Sequence, residues 1–266
     1  MLKDAYSFND LVEIMKFLRS GKGCPWDREQ SYKDLKKYLI EETYEVLEAI
    51  DLEDSGKLSE ELGDLLLQIV FLSQIATEEG KFDINTVITG ICRKMIQRHT
   101  HVFGQDIAKT AQDVVDRWEI NKKKEKGIRT QTEVLKDVPS NLPALMRSYK
   151  IQQKAAQVGF DWDKIEDVFS KVDEEIRELK SVYASEEKTR IEDELGDVLF
   201  SIVNLARFLD VHPELALTGT INKFIKRFEY VEAKSKKQGR ELKYMTLAEM
   251  DKLWDEAKII FAQENN

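Results

Sequence analysis

Four acidic residues at fixed spacing occur twice in this chain: Glu42, Glu45, Glu61 and Asp64, and then, 133 residues later, Glu175, Glu178, Glu194 and Asp197. The surrounding words repeat as well, Glu41-Glu42 with Glu45 and Glu61-Leu62-Gly63-Asp64 returning as Glu174-Glu175 with Glu178 and Glu194-Leu195-Gly196-Asp197. A duplication kept in register implies two structurally similar units. Residues three apart share one face of an α-helix, so each pair presents its two carboxylates together. The gap between the pairs, near Asp51 to Gly56 in the first copy and Ala184 to Glu187 in the second, reads as the turn of a helical hairpin. Antiparallel helices set residues equidistant from the turn side by side. Glu45 then faces Glu61, Glu42 faces Asp64, and Glu178 and Glu175 face Glu194 and Asp197. All four carboxylates of a copy fall in one layer.

Level carboxylates between helices repel one another strongly and call for a cation. Leu35, Leu39, Val46 and Ile50 form an apolar line through Glu42, and Leu58, Leu62, Leu65, Ile69 and Leu72 do so beside Glu61 and Asp64. Val172, Ile176, Leu179 and Tyr183, facing Ile191, Leu195, Val198, Ile202 and Leu205, repeat the pattern. The layer is therefore expected to be at least half buried, and an all-oxygen donor set favours Mg²⁺, or Mn²⁺, over zinc. Acids alternating with leucines are more often the wet edge of an amphipathic helix. Two copies with one spacing and mirror-symmetric placement outweigh that reading. Gly63 and Gly196, in helices where glycine costs about 1 kcal/mol relative to alanine, are expected to let something approach closely.

With only Pro25, Pro139, Pro143 and Pro213, long 3.6-residue periodicity and no sustained alternation of β-branched residues, the chain is expected to be all-α. Its 266 residues divide into an N-terminal helical domain, 1–125, a linker, 126–141, that contains Gly127 and Pro139, and a C-terminal helical domain, 142–266. The net charge of -9 argues against wrapping a nucleic-acid polymer, though not against small phosphorylated ligands. Cys24 and Cys92 make no metal or redox pair, and no stretch is long and apolar enough to span a membrane. A cytoplasmic location is expected.

Residues 7 to 20 read as a helix capped by Ser7, and Asp83 to Arg98 as another. Asp27 with Gln30, and Asp163 with Glu166, look like starts of the acidic helices, and Asn141 like the cap of a helix opened by Pro143. Basic residues follow each hairpin: Arg93, Lys94 and Arg98 in the first unit, and Lys223, Lys226 and Arg227 in the second. Each unit closes on a matching pattern, Trp118 with Lys122 and Trp254 with Lys258. Alone, such basic residues are usually a solvated face; beside a carboxylate layer they would suit phosphate oxygens.

Taken in order, Gly23 to Asp27, the first acid set, Arg98 to Gly104, Leu142 to Leu145, Val158 to Trp162 and the second acid set resemble the MazG family of nucleoside triphosphate pyrophosphohydrolases. That family sits with an all-α group that includes dimeric dUTPases. The resemblance covers nearly the whole chain. It implies Mg²⁺-dependent cleavage of nucleoside triphosphates to monophosphate and pyrophosphate, with catalytic and metal-holding acids Glu175, Glu178, Glu194 and Asp197, Glu174 beside them, and Glu42, Glu45, Glu61 and Asp64 as the first-copy equivalents. It further implies nucleotide contacts at Lys171, Glu174, Arg190, Asp193, Lys223, Lys226, Arg227 and Trp254, with Lys258 and Lys122 nearby, and a homodimer in which hairpins pair into bundles. Trp254 would stack on the base; the alternative is that it packs a terminal helix. The first copy has Thr43, Tyr44, Ser59 and Glu60 where the second has Ile176, Arg177, Glu192 and Asp193. The second copy is expected to carry most of the turnover.

Two rival functions remain at this point. A helical scaffold or binding protein would have no use for mirror-symmetric acids in both copies. A di-iron carboxylate protein uses level glutamates but wants Glu-x-x-His on two helices, and His99, His101 and His212 all lie outside the hairpins.

Overall fold

The computed structural model describes residues 3–184 and 187–263, and every element among them is helical. The chain divides into two compact units, Met1–Lys124 and Glu125–Asn266. The first contains α1 (Phe8–Leu18), α2 (Pro25–Glu29), α3 (Tyr32–Asp51), α4 (Ser55–Glu78), α5 (Ile84–Arg98), α6 (Thr100–Phe103) and nearly all of α7 (Ala111–Glu125). The second contains α8 (Gln131–Lys136), α9 (Ala144–Ala156), α10 (Ile165–Val182), α11 (Lys188–Phe208), α12 (Pro213–Lys237) and α13 (Leu247–Gln263).

The acid-bearing hairpins are α3–α4 and α10–α11, the most closely packed helix pair of each unit. Local chemistry sets their ends. Ser31 and Asp34 cap α3 reciprocally, and the Asp54 carboxylate accepts from the amides of Gly56 and Lys57 at 2.9 and 3.0 Å to start α4. Between them Glu53 takes a left-handed conformation, φ 52°, which folds the chain back within three residues. In the second hairpin α10 ends at Val182 and α11 begins at Lys188; of the expected turn, Ser185 and Glu186 lie outside the described residues.

Ser7 caps α1 and Asp83 caps α5, as their sequence suggests. Three other starts differ. Asp27 lies inside the short helix α2, opened by Pro25, and α3 waits for the stronger Ser31–Asp34 signal. α10 starts after Lys164, with no side-chain cap, and α9 after Pro143, so neither Asp163 nor Asn141 caps a helix. The stretch 126–141 is not bare linker: Thr130 and Glu133 cap α8, which buries Val134 and is tied to α9 by Gln131 Nε2 donating to the Lys154 carbonyl at 2.5 Å.

The first unit packs around Met15, Leu35, Val70, Phe71 and Ile75, with Tyr38 and Leu67 against them. Arg19 is buried there, its guanidinium over the Phe71 ring and paired with Glu78 at 2.8 Å. In the second unit Val231, Met245 and Leu253 form a cluster between α12 and α13 that takes in Trp254. The apolar lines expected along the hairpins are only partly inside. Ile50, Leu62, Ile69, Tyr183, Leu195 and Ile202 are exposed, because each hairpin buries one side of its helices and leaves the other uncovered. At Gly63 and Gly196 an added Cβ would meet nothing within 4 Å, so nothing in this chain makes the expected close approach.

Candidate functional site

Hairpin geometry brings the acids of each copy together. Glu175, Glu194 and Asp197 each offer a carboxylate oxygen, all within 4.8 Å of one another, and Glu42, Glu45 and Glu61 do the same in the first unit. The fourth member stands beside each trio. Asp64 acts on Glu42 and Glu194 on Glu178, the cross-hairpin pairings that equal distance from the turn demands, and Glu178 also feels Glu175 on its own helix.

Crowding shows in the proton affinities. Glu42 is held above the ordinary glutamate range first by burial, then by the Asp64 and Glu45 charges. Glu61 is raised by burial, then by Glu45 and Glu60, against the pull of Lys57. Glu178 is raised by loss of solvent, then by Glu175 and Glu194. One oxygen of Glu194, Oε2, is buried with no hydrogen-bond partner. A buried, unpartnered carboxylate oxygen among three other acids is a group that a cation would satisfy. The donor set is all oxygen, as Mg²⁺ or Mn²⁺ requires.

The two layers differ in one built-in charge. Lys171 Nζ lies 2.8 Å from Glu174 and 2.7 Å from Glu175, whose residue is 7% exposed. The pair holds Glu174 below the usual glutamate range and Lys171 above the usual lysine range. The same offset of 133 puts Tyr38 at this place in the first copy. There the polar neighbour is Gln68, whose Nε2 reaches Glu42 Oε1 at 3.4 Å, and the matching residue in the second copy is the smaller Ser201.

Beside the second layer lies a cavity of about 550 Å³ between α9, α10 and α11. Lys171, Glu175 and Asp197 line it together with Leu135, Ile151, Phe160, Trp162 and Phe200, and with the amides Gln152 and Asn204. A carboxylate layer opening into an apolar pocket of this size suits a ligand with a charged and a flat apolar part. Of these residues Phe160 and Trp162 belong to a sequence motif, but Gln152, Ser201 and Asn204 carry no sequence signal beyond Asn204 standing seven positions after Asp197 on one helix face.

The other expected contacts lie elsewhere. Arg190 pairs with Glu187 at 3.5 Å near the start of α11, and Asp193 is exposed one turn before Asp197. On α12 Lys223 is exposed, Lys226 lies over the Phe261 ring at 4.4 Å, and Arg227 lies over the Trp254 ring at 5.8 Å with its Nε unpartnered. Trp254 packs on Phe224, ring centres 4.9 Å apart, and Lys258 pairs with Asp255 at 2.9 Å. No hydrogen bond or ion pair among the described residues ties Lys223, Arg227 or Trp254 to the acids of α10 and α11. Lys122 is on α7 in the first unit, one turn beyond Trp118, over which Arg98 lies at 5.1 Å.

Comparison with known proteins agrees with this geometry. A family model described as the MazG nucleotide pyrophosphohydrolase domain matches residues 30–103 and 164–232, one match on each hairpin. The Thermotoga maritima nucleoside triphosphate pyrophosphohydrolase/pyrophosphatase MazG is 44% identical over 251 residues, 94% of this chain and 95% of that protein. The Escherichia coli K12 nucleoside triphosphate pyrophosphohydrolase is also 44% identical over 251 residues, 93% of this chain and 95% of that one. The YabN protein of Bacillus subtilis is 47% identical over 254 residues, which are 95% of this chain and 52% of YabN. Matched on both hairpins and aligned along nearly its whole length with two such relatives, the chain belongs to the MazG family.

Proposed function

We propose that this protein hydrolyses nucleoside triphosphates to nucleoside monophosphate and pyrophosphate with Mg²⁺, for which Mn²⁺ can substitute, held by Glu175, Glu178, Glu194 and Asp197. The observation that carries the reading is the second acid layer, with its unpartnered Glu194 oxygen, opening into a cavity large enough for a nucleoside. A divalent cation held by these acids would offset charge on the phosphate oxygens and would lower the pKa of a bound water.

The chain's own residues supply the rest. Lys171 neutralises Glu174 and Glu175 before substrate arrives, and its flexible stem lets the ammonium pass to a phosphate oxygen. Glu174 then loses the partner that keeps its proton affinity low and becomes able to accept the proton of the water. The cavity shields the base and sugar from solvent. Arg190, Lys223, Lys226, Arg227 and Lys258 are the further cations of the second unit that would meet a triphosphate.

Several of these stand apart from the acid layer, which a homodimer would resolve. The chain exposes 19167 Å², whereas two separate compact units of half its mass would expose about 14,400 Å². The uncovered sides of α4 and α11, with Leu62, Leu66, Leu195 and Leu199 exposed, are what a second copy would bury. Among the described residues no helix is long and apolar enough to cross a membrane, and both cysteines are free, which fits a cytoplasmic enzyme. A panel of nucleoside triphosphates tests the reading: pyrophosphate should appear with Mg²⁺ or Mn²⁺ and cease with a chelator, and a rate indifferent to chelation would reject the metal assignment.

A further inference from the structure

The walls of the second-unit cavity are not held with equal strength. α10 and α11 are the most closely packed helices of the unit, and Gln152 Nε2 donates to the Phe200 carbonyl at 2.8 Å, which ties α9 to α11. Arg207 on α11 donates through Nε to Asn204 Oδ1 at 3.0 Å and pairs with Asp161, whose carboxylate also accepts from the Trp162 amide at 2.9 Å. The loop that brings Phe160 and Trp162 to the cavity is thereby fastened to α11.

The remaining wall is α8. A helix of six residues has little stability of its own and keeps its shape only while docked. Gln131, Val134, Leu135 and Val138, at i, i+3, i+4 and i+7, form the face turned to the unit. Of this face Val134 and Val138 are buried, and Gln131 adds its one hydrogen bond to the Lys154 carbonyl. Leu135, half-buried, is the α8 residue that lines the cavity. Lys126 and Asp137 pair at 2.6 Å across the two ends of the segment and close it on itself. Gly127, in the left-handed region at φ 64°, stands beside this clasp, and Pro139 follows it. A short segment closed at its base and seated by two valines can lift as one piece while α9, α10 and α11 stay in place.

We propose that α8 is a strap that lifts to admit the ligand of this cavity and closes on it, with Leu135 completing the apolar wall. The proposal rests on the pyrophosphohydrolase reading for the class of ligand, a nucleotide, and adds a moving part to it. A ligand that touches Leu135 favours the seated strap, whereas entry uses the lifted one. Weakening the seat of Val134 therefore speeds entry and loosens the closed complex.

The test is hydrogen exchange in the full-length protein, alone and saturated with α,β-methylene ATP and Mg²⁺, read at the amides of Val134, Asp137 and Val138, which hydrogen-bond within the strap. In the free protein these should exchange about 100-fold faster than the central amides of α9, and the bound analogue should slow them about tenfold or more. Val134→Ala and, separately, Gln131→Ala should speed this exchange. In stopped-flow tryptophan fluorescence both should raise the association rate of the analogue about fivefold and its dissociation rate by more. A purely structural α8 would leave the association rate unchanged or lower it. Exchange as slow as in α9, fast exchange that the bound analogue leaves unchanged, or an association rate that neither variant raises would each overturn the strap. Pyrophosphate release from ATP, read on the same preparation, separates the two readings. Release with an unresponsive α8 leaves the function and removes the strap. A responsive α8 without release does the reverse.

Discussion

Lys171 Nζ lies 2.7 Å from a carboxylate oxygen of Glu175, one of the few buried charged side chains of the second unit, and the first unit has a tyrosine, Tyr38, at the matching place. The second acid layer therefore carries its own counter-charge. A divalent cation would take over that task, freeing the lysine for phosphate. Lys171→Met should lower the melting temperature measured in chelator by a few degrees, since Lys171 is partly exposed and its pair is worth about 1 kcal/mol at most after screening. Excess Mg²⁺ should remove most of the difference. A deficit that Mg²⁺ leaves untouched would show that Lys171 is structural only.

The differences between the layers rank the two copies. The second layer combines the acids with Lys171 and borders a cavity that Asn204 and Ser201 also line, while the first unit has Tyr38, Phe71 and Gln68 in place of Lys171, Asn204 and Ser201. Glu175→Gln with Asp197→Asn should reduce pyrophosphate release by about 10²–10³-fold, the scale of removing a group that stabilises developing charge. Glu42→Gln with Asp64→Asn should change it less than about threefold. Equal losses would mean that both units turn over.

Glu178 gives a pH test with a definite sign. Its proton affinity in the fold is raised above the ordinary value of 4.5 by loss of solvent and by Glu175 and Glu194. A raised acid contributes stability that is fully present below the unfolded value and is lost as pH rises through the folded one. Glu178→Gln removes that loss. In chelator, the variant and the parent should melt together at pH 4, and the variant should melt higher at pH 8. The opposite trend would show that Glu178 is paired rather than crowded.

Trp254 packs in a cluster with Phe224, Val231 and Leu253, which is the packing alternative that its sequence neighbourhood leaves open. Trp254→Ala should therefore lower the melting temperature without nucleotide by several degrees, from a loss of about 2 kcal/mol for a half-buried tryptophan. An unchanged melting temperature together with a raised Michaelis constant would return the base contact to Trp254.

The legible and illegible parts of the molecule separate along physical lines. The hairpins and their level acids could be read because a duplication and a distance from a turn are both one-dimensional facts. The caps were harder: Asp27 and Ser31 compete within five residues, and the reciprocal Ser31–Asp34 pair prevails. The apolar lines were expected inside, but Leu62 and Leu195 are exposed because a stripe in sequence tells that a face is apolar, not which molecule covers it. Gln152 and Asn204 could not be found beforehand. They lie on separate helices, and what marks them is an amide orientation set by Phe200 and by Arg207, which exists only after packing.

The most direct test of the account is the fate of the label when ATP carrying radioactive phosphorus in the γ position is incubated with the protein and Mg²⁺ and the products are separated. Cleavage between the α and β phosphorus atoms places all the label in pyrophosphate, with AMP as the nucleotide product, and that is the predicted result. Label in orthophosphate, with ADP as its partner, would contradict the account.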